Sequence, residues 1–294
     1  MTQIEFYDKA MNASVKAEIP SSWDEMTAKQ VCFVFKEFDR CSWGEISPLL
    51  MNIHVLYHFL GLKFRPDKSI YESDTACQNI YLLCENHLAF LFEKKDDTQF
   101  LNLSFKSVAN PLPTVRVGTA RSLLTGPATL CQDLTFGEFR HAAIALNAFF
   151  QSNDMADLDE CIAFLYRRRS MRANRAGRNV KAFSDSAVAE AAKMSPWQKD
   201  LIMMWFASCL NFLQTQSLKL NGEDVDLALL FAGDGSDNGP AFTWNDLLVQ
   251  LARDNTVGNL DRVDEEPLFS VIALMWANFK ENKRYEKSQK SQKA

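Results

Sequence analysis

Helix-start signals recur along this chain, and they constrain its fold more than any other feature of the sequence. At residues 27–30 and 135–138 a Thr is followed three residues later by Gln or Glu, which is the pattern of a capping box. Ser47 and Ser195 each precede a Pro, which is well tolerated at the first position of a helix. A similar signal lies at residues 243–246. Apolar residues at helical spacing follow these signals, so we predict a mainly helical chain.

Two short β-hairpins are predicted in the first half of the chain. Residues 1–19 alternate loosely between apolar and polar on either side of Asn12. Residues 88–92 and 99–105 flank a charged turn, and the second run has a period of two. The predicted fold is therefore mainly α (α+β), with about eight helices and one or two short N-terminal β-hairpins.

The length of 294 residues fits one large domain or two modest ones. Pro and Gly at residues 110–113 and 126–127 mark a connecting region. We therefore predict a hairpin-plus-helix region over 1–125 and a helical region over 126–282. The polar, repetitive residues 283–294 are predicted to form a disordered tail.

The overall composition is typical of a soluble globular protein, with 47% hydrophobic and 23% charged residues. The net charge of −5 disfavours a generally basic nucleic-acid binder. The most apolar run, residues 201–213, is shorter than the about 20 residues that span a bilayer, so no membrane segment is expected. The seven cysteines form no CxxC pair and mostly have apolar neighbours, which indicates buried thiols in a reducing cytosol.

No motif in the sequence indicates catalysis or a cofactor. GxSxG, GxxxxGK[ST] and GxGxxG are all absent. His54 and His58 share a helix face and could hold a metal, but no third ligand is evident, so structural roles are favoured. Residues 234–239 resemble the start of a calcium loop, but Asn245 stands where the loop needs a bidentate Glu. We predict a chain that is not an enzyme and has no cofactor or metal.

A cluster of seven cations without an acid lies between residues 167 and 181. It could contact the phosphates of RNA or DNA. It could instead be a solvated loop that pairs with acids of this chain or of an acidic partner. Few aromatic residues flank it for base stacking, so nucleic acid is the less favoured reading. The candidate anion-binding residues are Arg167, Arg168, Arg169, Arg172, Arg175, Arg178 and Lys181.

The helix predicted to begin after Ser195 is apolar all round its axis near its middle. Met203, Met204, Trp205 and Phe206 lie there in succession. Burial in the core is the simplest explanation. The alternative is a surface that binds a partner's amphipathic helix, because Met and aromatic side chains adapt to such partners.

Three stretches of the chain have a familiar pattern, and the third and weakest of them reads WNDLL at 244–248 and GNL at 258–260. Residues 17–30 read AEIPSSWDEMTAKQ after a predicted hairpin, and residues 134–139 read LTFGEF, followed by LD at 158–159 and LYR at 165–167. These patterns are similar to tail-assembly proteins of tailed bacteriophages and prophages, including tail assembly chaperones and baseplate-hub assembly proteins of Bacteroidetes phages. The chain departs from the pattern at Arg168, where Pro often follows LYR.

The resemblance implies a non-catalytic protein of the host cell cytoplasm. Such a chaperone would hold an aggregation-prone helical partner, typically the tape measure protein, until the tail tube polymerises around it. A structural virion component, such as a connector, neck, ring or tail subunit, is the alternative. A nucleic-acid-associated protein that uses residues 167–181 is a third hypothesis.

Overall fold

The computed structural model describes residues 1–8, 12–62, 74–95, 98–102, 105–118, 122–168, 185–220, 222–231, 244, 249 and 260–293. Of the residues that the structure describes, 64% are helical, which confirms the mainly α class. The helices are α1 (Ala28–Ser42), α2 (Pro48–Phe59), α3 (Asp74–Leu88), α4 (Phe136–Ser152), α5 (Met155–Leu165), α6 (Asp185–Ala191), α7 (Pro196–Thr215), α8 (Leu227–Phe231), α9 (Leu260–Glu265) and α10 (Leu268–Lys293). The strands are β1 (Thr2–Asp8), β2 (Ala13–Ile19), β3 (Phe92–Lys95), β4 (Thr98–Leu101), β5 (Thr114–Val117), β6 (Ser122–Thr125), β7 (Arg167–Arg168), β8 (Ser217–Leu220) and β9 (Glu223–Asp226).

The chain divides into two compact units, and both are discontinuous in sequence. The first unit comprises Met1–Ser107 and Ser195–Trp205, and the second comprises Val108–Met194 and Phe206–Ala294. These units do not coincide with the boundary predicted at residue 125. Residues 110–127 were interpreted as a connection because of their Pro and Gly, but they carry the antiparallel β5–β6 hairpin of the second unit.

The first unit consists of two hairpins and three helices around an aromatic core, together with the first part of α7. The β1–β2 hairpin is antiparallel, as predicted from the sequence, and Asn12 between its strands adopts a φ of 51°. Trp23 is buried, and its ring lies 5.9 to 6.5 Å from the rings of Phe35, Phe90 and Phe105. Such tilted and edge-to-face pairs are favourable beyond the area that they bury.

Both predicted capping boxes are present. Thr27 Oγ1 accepts from the Gln30 N–H at 3.3 Å, and Gln30 Oε1 accepts from the Thr27 N–H at 2.8 Å. Thr135 and Glu138 make the same reciprocal bonds at the start of α4. Each box satisfies backbone donors that the first turn of a helix leaves without an intrahelical partner.

Removal of the Thr27 cap of α1 should destabilise the first unit by a predictable amount. We expect Thr27→Ala to lower the free energy of unfolding of the first unit by about 1 kcal/mol, because the Gln30 N–H loses its side-chain acceptor. Urea denaturation would measure the change. Ser42→Ala, at the other end of α1, is the matched control, and we expect its effect to stay within about 0.5 kcal/mol. Equal effects of the two substitutions would contradict the capping role.

The second unit is built around the α4–α5 pair. Phe139 of α4 is fully buried and meets Phe206 and Trp244 edge-to-face at 5.6 and 4.9 Å between ring centroids. Arg140 ties α9 to α4, because its Nε and Nη2 donate to the two carboxylate oxygens of Asp264 at 3.1 and 2.7 Å. β7 extends the β5–β6 hairpin to a three-stranded sheet.

The second predicted hairpin is confirmed, but it begins later than the sequence suggested. Phe92 of β3 pairs with Leu101 of β4. The predicted strand over residues 88–92 is wrong up to Leu91, because Leu88 ends α3 and Ala89–Leu91 form a 3-10 turn. Cys84, Leu88 and Leu91 are all buried, and their spacing of four and three residues is that of a helix face.

The structure places residues 283–293, part of the segment predicted to be a disordered tail, in a helix. Helix α10 continues from Leu268 to Lys293. Lys, Glu and Gln have good helix propensity, and cations near a helix C-terminus interact favourably with its dipole. A polar composition therefore did not exclude a helix at this end.

Candidate protein-binding site

The Met203–Phe206 segment, the partner-binding surface considered above, lies inside the chain's own core. Met204 is 5% exposed, and both Trp205 and Phe206 are 0% exposed. Met203 is half-buried. Core packing, the simpler of the two explanations given above, therefore accounts for this cluster in the conformation described.

Only the first two cations of the Arg-rich segment lie within the described residues, and both bind acids of this chain. Arg167 Nη2 lies 2.6 Å from Glu138 Oε1, and both side chains are nearly excluded from solvent. Arg168 is 57% exposed and pairs with Glu190 of α6. These two arginines therefore anchor β7 to its own unit. The other candidate residues of the segment, Arg169, Arg172, Arg175, Arg178 and Lys181, lie outside the described residues, as does the calcium-like stretch 234–239.

The histidine pair of α2 does not converge on a common ligand position. His54 Nδ1 lies 2.6 Å from Glu37 Oε2, and Arg40 also donates to that carboxylate. The His58 ring stacks on Phe33 with 3.9 Å between centroids, and burial lowers the pKa of His58. Across the part of the chain that the structure describes, no group of three His, Cys, Asp or Glu is placed to hold a metal ion.

The first unit carries an open apolar groove that the sequence analysis did not identify. The groove has a volume of about 530 Å³ and is lined mainly by residues of α2 and α3. We call it the α2–α3 groove. Its lining residues are Pro48, Leu49 and Asn52 of α2, Tyr81, Cys84, Glu85 and Leu88 of α3, and Ala89 and Phe92.

The walls of the groove expose large apolar side chains that a folded chain usually buries. Leu49 is 47% exposed and Tyr81 is 48% exposed, and the neighbouring Leu82 of α3 is 51% exposed. Cys84 and Leu88 are buried. Exposed apolar side chains that line one groove, as Leu49 and Tyr81 do, are typical of protein-interaction sites, whereas single exposed apolar residues are common everywhere.

The polar groups of the groove are suited to binding rather than to nucleophilic chemistry. Burial raises the pKa of the Cys84 thiol to about 12, so the thiol stays neutral, whereas the thiolate is the nucleophile and metal ligand. The Tyr81 hydroxyl donates to Glu85 Oε1, and this bond raises the pKa of Tyr81. Glu85 is the one ionisable carboxylate among the groove-lining residues described. Neither α2 nor α3 contains Lys or Arg.

One signal in the sequence could have revealed this groove. Tyr81, Leu82 and Leu83 are consecutive on a helix, and successive helical residues point about 100° apart. A single contact face cannot bury all three. Such a run predicts either a helix surrounded by protein or an exposed apolar face, and the structure shows the second.

Comparison of the chain with protein-family models, with curated proteins and with solved structures finds no match. None of the described helices combines the length and the apolar character needed to cross a membrane.

Proposed function

We propose that this chain is a non-enzymatic phage morphogenesis protein that acts in the host cell cytoplasm as an assembly chaperone. It would hold a helical tail protein, such as the tape measure protein, before the tail tube polymerises. The observation that carries this proposal is the α2–α3 groove, which is apolar, open and bordered by exposed Leu49 and Tyr81. The resemblance of residues 17–30 and 134–139 to phage tail-assembly proteins supports it.

An amphipathic helix is the occupant that fits the groove best. Two helices form its long walls, and a third helix can lay its apolar stripe between them, as in other helix-in-groove complexes. The charge of the groove walls favours a partner helix that carries cations. Because α2 and α3 carry no cation and Glu85 lines the groove, cations beside the partner's apolar stripe would meet complementary charge.

The size of the groove suits reversible binding, which a chaperone requires. Burial of a large apolar side chain yields about 2 kcal/mol, so roughly three or four side chains would yield about 6–8 kcal/mol. Association costs several kcal/mol in lost freedom. Subtracting an association cost of about 4 kcal/mol or more leaves about 4 kcal/mol or less, which corresponds to a dissociation constant of about 1 mM or weaker for one site. A long helical partner with several such stripes could then be covered by several copies.

The groove residues should be needed for partner capture but not for folding. We expect the double variant Leu49→Ser, Tyr81→Ser to weaken partner binding at least about tenfold, because apolar contact is lost at both walls. Binding would be measured by co-purification with the products of neighbouring tail genes and then by titration. Leu229→Ser is the matched control, because Leu229 of α8 is 45% exposed but lies in the second unit.

The controls separate a chaperone from the alternative roles. Unchanged capture by the groove variant, or equal loss in Leu229→Ser, would contradict a role for the groove. Mass spectrometry of purified particles tests the role itself, since a chaperone should be absent from finished particles. Its presence at a fixed copy number would identify a structural virion component instead.

A further inference from the structure

The β1–β2 hairpin has one long edge that the described part of the chain leaves open. β2 pairs with β1 along all seven of its residues, and the two strands form a sheet of their own. Outside this ladder, no backbone hydrogen bond joins β2 to another part of the chain that the structure describes. The outward N–H and C=O groups of β2 are therefore a template on which a further strand can pair.

The side chains of β2 alternate between a buried and an exposed face of the hairpin. Ile19 is fully buried and Ala17 is half-buried, whereas Ser14, Lys16 and Glu18 are exposed. A strand that pairs with β2 has to keep its own exposed residues on the same face, because a shift of register by one residue turns every side chain to the opposite face. The alternation therefore limits the registers in which another strand fits.

We propose that the open edge of β2 pairs antiparallel with β2 of a second copy of this chain, around a twofold axis at Ala17. The two copies form a four-stranded sheet in the order β1–β2–β2–β1. In this register Lys16 of each copy lies directly opposite Glu18 of the other, and opposite charges at facing positions stabilise a sheet. This proposal is independent of the function proposed for the α2–α3 groove.

The charges of β2 select this register over its neighbours. A shift by two residues in one direction places the two copies of Lys16 opposite each other, and a shift in the other direction does the same for the two copies of Glu18. Like charges at facing positions destabilise a sheet. Within the hairpin, Glu5 of β1 lies opposite Lys16. In the dimer Lys16 therefore lies between two carboxylates, one from each copy.

The outer edge of β1 is less suited to self-association. β1 contains Glu5 and Asp8 but no Lys or Arg, so two paired β1 strands have no opposite charges to match. Pairing of β1 with β2 of another copy leaves an open edge at each end and continues into a fibre, whereas pairing of β2 with β2 closes after two copies. The closed dimer has an acid-bearing strand at both outer edges, which opposes the addition of further strands.

The dimer should be weak and dependent on concentration. One pair of seven-residue strands buries less than the roughly 1,200 Å² of a stable interface, which is typical of transient association. We expect a dissociation constant of roughly 10–100 μM. Sedimentation equilibrium of the full chain over roughly 5–300 μM, a range that brackets this constant, would measure it.

Charge reversal at the facing positions tests both the partner and the register. Lys16→Glu and Glu18→Lys should each weaken dimerisation at least about fivefold, because each places like charges opposite one another twice in the dimer. An equimolar mixture of the two variants should recover dimerisation, since every Glu then faces a Lys. Glu18→Lys is the more informative single variant, because residue 18 lies opposite uncharged Gln3 within the hairpin.

Matched charge reversals elsewhere separate this pairing from a general effect of charge. Asp24→Lys and Lys29→Glu change exposed residues of the first unit outside β2, and should leave the dissociation constant within about twofold of its original value. Circular dichroism would verify that each variant keeps its fold. A chain that stays monomeric, species larger than a dimer, equal effects of both sets of variants, or a mixture that dimerises no better than its components would overturn the proposal.

Discussion

Arg167→Met should lower the free energy of unfolding of the second unit by about 3–4 kcal/mol. Arg167 Nη2 lies 2.6 Å from Glu138 Oε1, and the two side chains are only 10% and 1% exposed. Removal of one member of a buried ion pair leaves the other charge poorly solvated, which typically costs about 3–5 kcal/mol. The arginine is the better member to remove, because Glu138 also completes the capping box of α4.

The neighbouring arginine provides an internal control for this prediction. Arg168 also pairs with an acid, Glu190, but it is 57% exposed. Exposed pairs contribute about 0–1 kcal/mol, so Arg168→Met should have little effect. Urea denaturation of both variants would measure the difference. Adding Glu138→Gln to Arg167→Met should recover part of the loss, since no buried carboxylate remains unpaired. Equal destabilisation by the two arginine variants would contradict the importance of burial.

These two arginines show why a charge cluster in a sequence can mislead. The sequence groups seven cations between residues 167 and 181, and neighbouring Arg167 and Arg168 look equivalent there. The fold separates them, because β7 places one beside buried Glu138 and leaves the other at the surface. Sequence proximity shows a local excess of charge, but the partners of each charge depend on tertiary contacts.

Local signals, by contrast, predicted local structure well. Both capping boxes and the β1–β2 hairpin are confirmed, because each depends on residues close to one another in sequence. The β8–β9 hairpin was missed although Asn221-Gly222, a strong hairpin signal, stands between its strands. That miss was avoidable, because the information was local.

The candidate binding site could not be derived in the same way. The sequence singled out Met203–Phe206 for their size and apolarity, but these properties suit a core and a groove equally. Only the packing of the helices shows that Trp205 is buried whereas Tyr81 and Leu82 are exposed. Exposure depends on tertiary packing. Periodicity could therefore narrow the set of candidate partner-binding residues, but it could not show which of them are exposed.

Gly126→Ala should be nearly as damaging as the loss of the buried ion pair. A Cβ at this position would lie 2.6 Å from Cε1 and Cζ of Tyr166 and 2.8 Å from Nδ2 of Asn110. The Tyr166 ring is buried, and its hydroxyl donates to the Leu112 carbonyl at 2.8 Å, while Asn110 Nδ2 donates to the Pro127 carbonyl at 2.9 Å. Overpacking costs about 1–3 kcal/mol, and a strained hydrogen bond adds about 1 kcal/mol. We expect a total loss of about 3 kcal/mol.

A double-mutant cycle would show whether the Tyr166 ring is the cause. Tyr166→Leu alone destabilises the unit, since it removes the hydroxyl bonds and part of the ring volume. In that background the added methyl group of Gly126→Ala has more room, so it should cost less than about 1 kcal/mol. Thermal or urea unfolding of the four proteins measures the coupling. If Gly126→Ala lowers the free energy of unfolding equally in the wild-type and Tyr166→Leu backgrounds, a clash with the Tyr166 ring is not the cause. A large coupling would instead establish that residues 110–127 and the end of α5 fold as one interlocked structure, which places the boundary of the second unit before this segment.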